Sequence, residues 1–508
     1  MSVFAAIDIG ANSVRLKVAR SVHHRLKSIH EDRVVTRLGE SVFRFGVLSP
    51  EAMDATVAVL RRFHRAVQEQ GAEQLRVVAT SALRDARNSS ALVAWIHAAT
   101  GWKVEIISGM EEGRLIHLGI LTHSRISLRR LLLIDLGGGS CELTLSEHGH
   151  IREMTSLPLG AVRLTQEFLR HDPPETIELH RMRTNIAETI HRIERRISRA
   201  SVDTVLATSG TPAALAGAAR RLAKRRTARR DGTVTRDVVD QLAEELSRMD
   251  YEERARLPGI GPRRAEIIIA GTWVFAELMA HCNLPSFRYS PLGLRDGVLA
   301  QMLAERDQAT RSRRQIEADR WDGILAACKQ YRAELPAAEH VRDLVLQLFQ
   351  QLRRLHGLPT EYESWLTAAA MLHDVGGFIN RNGRHRHTYY LISNSELLGF
   401  TPEQRQLIAA IARYLGKSRP DPSDGPMKAL TPADAKHLPK AVALLRLAKA
   451  MCPGSEKNIQ RVRAAVQGRK VQLTLKSKGS ADLEIWILQK ERGYFREVFG
   501  RDLVASLA

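Results

Sequence analysis

Residues 131–143 read LLLIDLGGGSCEL. A short apolar run bounded by turn residues is the pattern of a buried strand. Leu131–Leu136 is therefore a predicted strand, Gly137-Gly138-Gly139-Ser140 a turn, and Cys141–Ser146 a returning strand. The same plan stands 127 residues earlier, in AAIDIGANSVRL at 5–16. There a strand over 3–9 carries Asp8 near its end, Gly10-Ala11-Asn12-Ser13 turns, and Val14–Arg20 returns.

One such turn is an ordinary hairpin. Two, each after an apolar strand, point to paired phosphate loops. Small residues let backbone N–H groups converge on an anion because no bulky side chain blocks its approach. Ser13 and Ser140 add hydroxyl donors. Asp8 and Asp135 stand at the strand mouths, where carboxylates can hold Mg2+ directly or through water.

Two further stretches carry candidate chemistry. In EIISGMEEGRLI (105–116) a strand end and a tight turn precede Glu112 at a helix start. A carboxylate there can orient or deprotonate an attacking water, although Glu in a first helical turn also simply favours the helix dipole. In VVATSALRDARN (77–88), Arg84 follows a strand. It can bind a phosphate bidentately, or be an ordinary surface arginine.

Composition narrows the function classes. The 508 residues include 76 Lys/Arg and 56 Asp/Glu, a formal charge of +20, and 5% aromatics. A basic surface attracts polyanions, and sparse aromatics disfavour stacking on single-stranded bases. Residues 381–480 alone hold 19 Lys/Arg against 6 Asp/Glu; another basic stretch lies near 224–236. Cys141, Cys282, Cys328 and Cys452 form no CxxC pair, as expected in a reducing cytosol. No apolar run approaches the length of a membrane span, so the expectation is a soluble cytoplasmic protein.

Seven stretches in order resemble the exopolyphosphatase / guanosine pentaphosphate phosphohydrolase family: the four above, SLPLGAVRLTQEF (156–168), LATSGTPAAL (206–215) and SPLGLRDGV (290–298). That family belongs to the actin, hexokinase and Hsp70 superfamily. The resemblance implies two actin-like (ribonuclease H-like) α/β domains, 1–120 and 121–304. A mainly α HD-like domain at 305–437 and a small α+β domain at 438–508 would follow. It implies Glu112 as the catalytic base, Arg84 on phosphate, and Asp8, Asp135 and Glu142 as carboxylates serving Mg2+ or Mn2+. Gly10, Ala11, Asn12, Ser13, Gly137, Gly138, Gly139 and Ser140 would cradle phosphate. Ser209, Gly210 and Thr211 match the loop where superfamily kinases hold adenosine. Ala11 replaces a frequent serine but keeps its N–H. The implied substrate is inorganic polyphosphate, or guanosine pentaphosphate at the same site. A homodimer is implied, and activation by a monovalent cation is left open. No specific nucleic acid or membrane partner is expected.

Beyond 305 the pattern is helical. His340 and His373-Asp374 resemble part of an HD metal site, but Lys449 stands where its last Asp is expected. A cation cannot ligate a metal, so that site reads as lost. Arg381, Arg384, Arg386 and His387 on one expected loop, with Arg413 and Lys417, are candidates for a polyphosphate channel. A hairpin is expected from Val471–Leu475 and Leu483–Leu488, after helices over 438–468. Three other classes compete with the phosphohydrolase. They are a superfamily kinase or ATPase, a non-catalytic polyanion-binding protein, and an HD nucleotide hydrolase.

Overall fold

The computed structural model describes residues 2–123, 129–223, 232–307, 310–454 and 457–508. Residues 224–231, most of the second basic stretch, lie outside them. The chain divides into two units, 1–319 and 320–508.

The first unit contains two sheets. One has β1 (Val3–Ile9), β2 (Ser13–Val22), β3 (Arg25–Val35), β4 (Gln74–Ala79) and β5 (Val104–Ile106), in the order β3-β2-β1-β4-β5. The other has β6 (Arg130–Leu136), β7 (Cys141–Glu147), β8 (His150–Leu157), β9 (Thr204–Thr208), β10 (Thr233–Thr235) and β11 (Ser286–Tyr289). Its order is β10-β11-β9-β6-β7-β8. In each sheet an antiparallel three-strand meander meets a parallel strand at its first member: β4 beside β1, and β9 beside β6. These are the two actin-like halves. The third meander strands, β3 and β8, are additions to the expected hairpins. Their mixed polar sequences, RLKSIHEDRVV and HIREMTSL, have no clean alternation because they lie toward the sheet edges.

β1 and β6 are apolar on both faces because both faces are covered. Side chains alternate along a strand. Val3, Ala5, Ile7 and Ile9 therefore enter one core, while Phe4 and Ala6 enter another with Leu131 and Leu133 of β6. Leu132, Ile134 and Leu136 point into a third. The shared core also takes Leu115, Ile116 and Ile120 from helix Gly109–His123, and Val298, Leu299 and Leu303 from helix Leu294–Arg306. Those helices touch closely: a Cβ on Gly297 would strike the carbonyl of Leu115.

The second unit is helical from Arg320 to Ala450 and closes with a small sheet of β12 (Ile459–Gln467), β13 (Lys470–Ser477) and β14 (Asp502–Leu507). Two expectations fail here. The segment 459–467 is a strand, not helix. The partner of β13 is β12, while Leu483–Leu488 lies inside helix Asp482–Phe499. LEIWIL is as apolar and branched as a strand, but β13 and β14 pair in parallel. A parallel pair requires a crossover of about a dozen residues or more, and this helix supplies it. One continuous core joins the helices to this sheet.

All four cysteines are free and buried. Among the described residues no helix is long and apolar enough to cross a membrane.

Candidate active site

Strand alternation brings the acids together. Asp8 lies on the same face of β1 as Phe4 and Ala6, and Asp135 on the same face of β6 as Leu131 and Leu133. Both faces turn into the core shared by the two halves, so the carboxylates line one cleft where that core ends. The two loops have one geometry. Gly10 N–H donates to the Ser13 carbonyl at 3.1 Å, and Gly137 N–H to the Ser140 carbonyl at 3.0 Å. Register then pairs Asp8 with Arg15 and Asp135 with Glu142. Cross-strand partners share a face. Glu142 is thus placed beside Asp135 by the hairpin itself, and Arg15 occupies the equivalent place in the first half.

The loop carbonyls are turned away to other backbone. Ala11 O accepts from Gly39 N at 2.7 Å, and Gly138 O from Val162 N at 2.8 Å. The amides of Ala11, Asn12 and Gly138, which line the cleft, have no acceptor among the described residues. Unpaired N–H groups around a concavity form an anion site. Gly139 serves packing instead: a Cβ there would strike Ser81 and Phe43. Ser209, held at φ 82°, hydrogen-bonds Asp135. Gly210 lacks a side chain where the Arg264 guanidinium lies over it. Thr211 does not line the cleft; it is buried against Gly271.

Glu112 begins the helix that follows β5, and a buried neighbour selects it over Glu111. Arg114, fully buried, grips Glu111 with Nε at 2.8 Å and Nη2 at 2.7 Å and also meets Asp319 at 3.3 Å. Glu112 is left facing Asp135 and Glu142. One oxygen from each of the three acids lies within 4.8 Å of the others. Asp8 lines the same cleft outside this trio. Arg84, from the short helix after β4, reaches Glu112 Oε2 and Ser140 Oγ, each at 3.5 Å. Ser156 Oγ donates to Glu142 Oε1 at 2.8 Å, while Glu142 Oε2 is buried without a partner.

Burial dominates the electrostatics. It raises the pKa of Asp8 and pushes Asp135 up to about 6, opposed chiefly by Arg15 in both cases. Glu112 and Glu142 are raised by burial and then by neighbouring carboxylates, with Arg84 opposing both shifts. Three buried acids with one orphaned oxygen form a hard, all-oxygen donor set suited to a divalent cation such as Mg2+.

Four arginines that were not among the expected site residues line the same cleft: Arg15, Arg33, Arg264 and Arg295. Arg15 and Arg33 are registered cross-strand partners, where like charges repel. Arg33 Nε and Nη2 are buried without acceptors. Burial first, and then neighbouring arginines, lower Arg33 to about 10 and Arg264 to about 9. Arg15 and Arg295 lie within two of the seven family-like stretches, AAIDIGANSVRL and SPLGLRDGV. Arg33 lies on the strand that was missed, and Arg264 had no local signal.

Arg384, Arg386 and His387 form the first turn of helix Arg384–Asn394, not a loop. Arg384 pairs with Asp374 at 3.3 Å. Arg381 and Arg384 border a cavity with His373 and Lys449, whereas Arg413 stacks on Tyr414 at 5.7 Å. Lys417 is exposed. His340 is buried and does not border that cavity.

Comparison with known proteins agrees with this architecture. An exopolyphosphatase from Cytophaga hutchinsonii is similar at 23% identity, covering 60% of this chain and 98% of its own, with a TM-score of 0.55. An exopolyphosphatase-like protein matches at 27% identity over 59% of this chain and 97% of its own, with a TM-score of 0.54. An Aquifex aeolicus Ppx/GppA family member has 29% identity over 60% and 99%, with a TM-score of 0.49. Residues 17–306 match the Ppx/GppA phosphatase family, and residues 320–492 match Ppx/GppA phosphatase, domain III. The chain belongs to the Ppx/GppA phosphatase family.

Proposed function

We propose that this phosphatase is an exopolyphosphatase that removes terminal orthophosphate from inorganic polyphosphate. The observation carrying this reading is the charge content of one cleft, lined by buried acids and by four arginines, of which Arg33 and Arg264 have no carboxylate partner among the described residues. Arg33 and Arg264 are desolvated and repelled by neighbouring cations. A chain of phosphates relieves that cost along its length. A nucleoside relieves it less, and Arg264 lies over Gly210 in the loop where superfamily kinases hold adenosine.

In this mechanism the free amides of Ala11, Asn12 and Gly138, with Ser13 and Ser140, hold the terminal phosphoryl group. Glu112 orients a water for in-line attack and takes its proton. The new P–O bond forms as the terminal anhydride P–O bond breaks. The bridging oxygen leaves with the shortened chain, and orthophosphate is the other product. Arg84 and the loop amides stabilise charge on the transferring oxygens. Asp135 and Glu142, with Asp8 nearby, would hold Mg2+ or Mn2+, which when bound offsets phosphate charge and lowers the pKa of the acids around it. Arg15, Arg33, Arg264 and Arg295 receive the following phosphates. Arg386, Arg413 and Lys417 add to the basic surface that the second unit offers a long polyanion.

Turnover on long-chain polyphosphate and guanosine pentaphosphate, measured side by side, tests the reading. A higher kcat/KM on polyphosphate is expected. A clear preference for guanosine pentaphosphate would replace this substrate with the nucleotide.

A further inference from the structure

The second unit contains a cavity of about 710 Å3 that the proposed reaction does not use. Its size falls in the range of small-molecule sites. Lys449, Arg381, Arg384 and Arg332 border it, against Glu334 and Asp374. Asp374 already pairs with Arg384. Lys449, Arg381 and Arg332 have no carboxylate partner among the described residues. Four cations drawn together around one concavity repel one another and favour an anion.

Two more features define what kind of anion. Phe378 lines the cavity and is 53% exposed, although it is a large apolar ring. Tyr331 meets it edge-on at 5.8 Å, with its hydroxyl tied to Ser395 Oγ at 2.9 Å. This fixed pair offers an aromatic surface that inorganic phosphate cannot use. His373, 4% exposed, borders the same cavity. Its Nδ1 hydrogen-bonds the Ala370 carbonyl at 2.7 Å, so Nδ1 carries the proton and donates. Nε2 is then a buried lone pair without a partner, suited to accept from a hydroxyl.

We propose that this cavity is a nucleotide-binding site. The phosphates lie among Lys449, Arg384 and Arg381, a sugar hydroxyl donates to His373 Nε2, and the base packs against Phe378 and Tyr331. The site is separate from the catalytic cleft and does not depend on which phosphate polymer that cleft cuts.

Isothermal titration of the full chain with ADP, and separately with inorganic pyrophosphate, tests it. Phe378→Ala removes an exposed ring, and Lys449→Met removes the central cation; Arg381→Gln, at an exposed residue, repeats the charge test should Lys449→Met not fold. ADP affinity is expected to fall at least 10-fold in Phe378→Ala and in the charge variant, with pyrophosphate affected by the charge variant alone. ADP held in the first unit would be indifferent to all three substitutions, and that result overturns the site. Equal weakening of ADP and pyrophosphate by the charge variant, with Phe378→Ala neutral, makes it an inorganic-anion pocket and overturns the nucleotide. Absence of ADP binding to the unsubstituted chain does the same.

Discussion

Arg84 Nη1 lies 3.5 Å from Glu112 Oε2 while donating at 2.7 Å to the carbonyl of Ile107, just before the Glu112 helix. The arginine is thus anchored to the backbone beside the carboxylate that it steadies. Burial and neighbouring acids raise Glu112; Arg84 is the principal opposing charge. Arg84→Met should leave Glu112 protonated to higher pH. The acidic limb of the kcat profile should move upward by about one pH unit, with about 100-fold lower kcat at pH 7. An unmoved limb would separate Arg84 from Glu112.

Glu112→Gln keeps the size of the side chain and removes the base. Orthophosphate release should fall about 1,000-fold, while thermal stability is maintained or rises because a buried carboxylate is gone. Near-normal turnover by this folded variant would assign the water to another group.

Asp135 gives a stability signature with a defined sign. Its pKa rises from 3.8 unfolded to about 6 folded, chiefly through burial. The folded state therefore binds the proton more tightly, and between those values stability falls as pH rises. The penalty is complete above pH 6 and on the order of 2–3 kcal/mol. In metal-free protein, Asp135→Asn should flatten that slope between pH 4 and 6 and raise the melting temperature at pH 7. Phosphatase activity should be lost. Urea unfolding across this pH range measures the slope.

The same acids predict proton release on metal binding. Adding Mg2+ to metal-free protein near neutral pH should displace protons from the Glu112, Asp135 and Glu142 group. Calorimetry in two buffers of different ionisation enthalpy reads the number. Asp135→Asn should reduce it.

Arg33 is costly in the free protein and useful only with ligand. Arg33→Gln should raise KM for long polyphosphate about 10-fold, change kcat by less than about two-fold, and leave or improve thermal stability. It should also flatten the salt dependence of KM, because one fewer charge meets the polyanion. A fall in stability would instead make Arg33 a structural residue.

The sequence by itself determined the two hairpins and their chemistry. Asp8 and Asp135 end apolar strands before glycine-containing turns, and period-two alternation together with strict hairpin pairing fixes what lies beside them. Glu142 was legible only through the family resemblance; its register opposite Asp135 supplies the physical reason. Glu112 and Arg84 were legible as motif residues, but not as a pair. The tertiary structure supplied the physical reason that Glu112 and not its neighbour faces the cleft: Arg114, buried across a helix contact, holds Glu111 away. It alone gathered Arg33 and Arg264, one on a polar strand without alternation and the other in an irregular segment. It also turned LEIWIL from a strand into a crossover helix. Local pattern reports which face of an element is apolar. What that face meets, and which charges it brings together from 100 or more residues apart, depends on long-range packing that no local window contains.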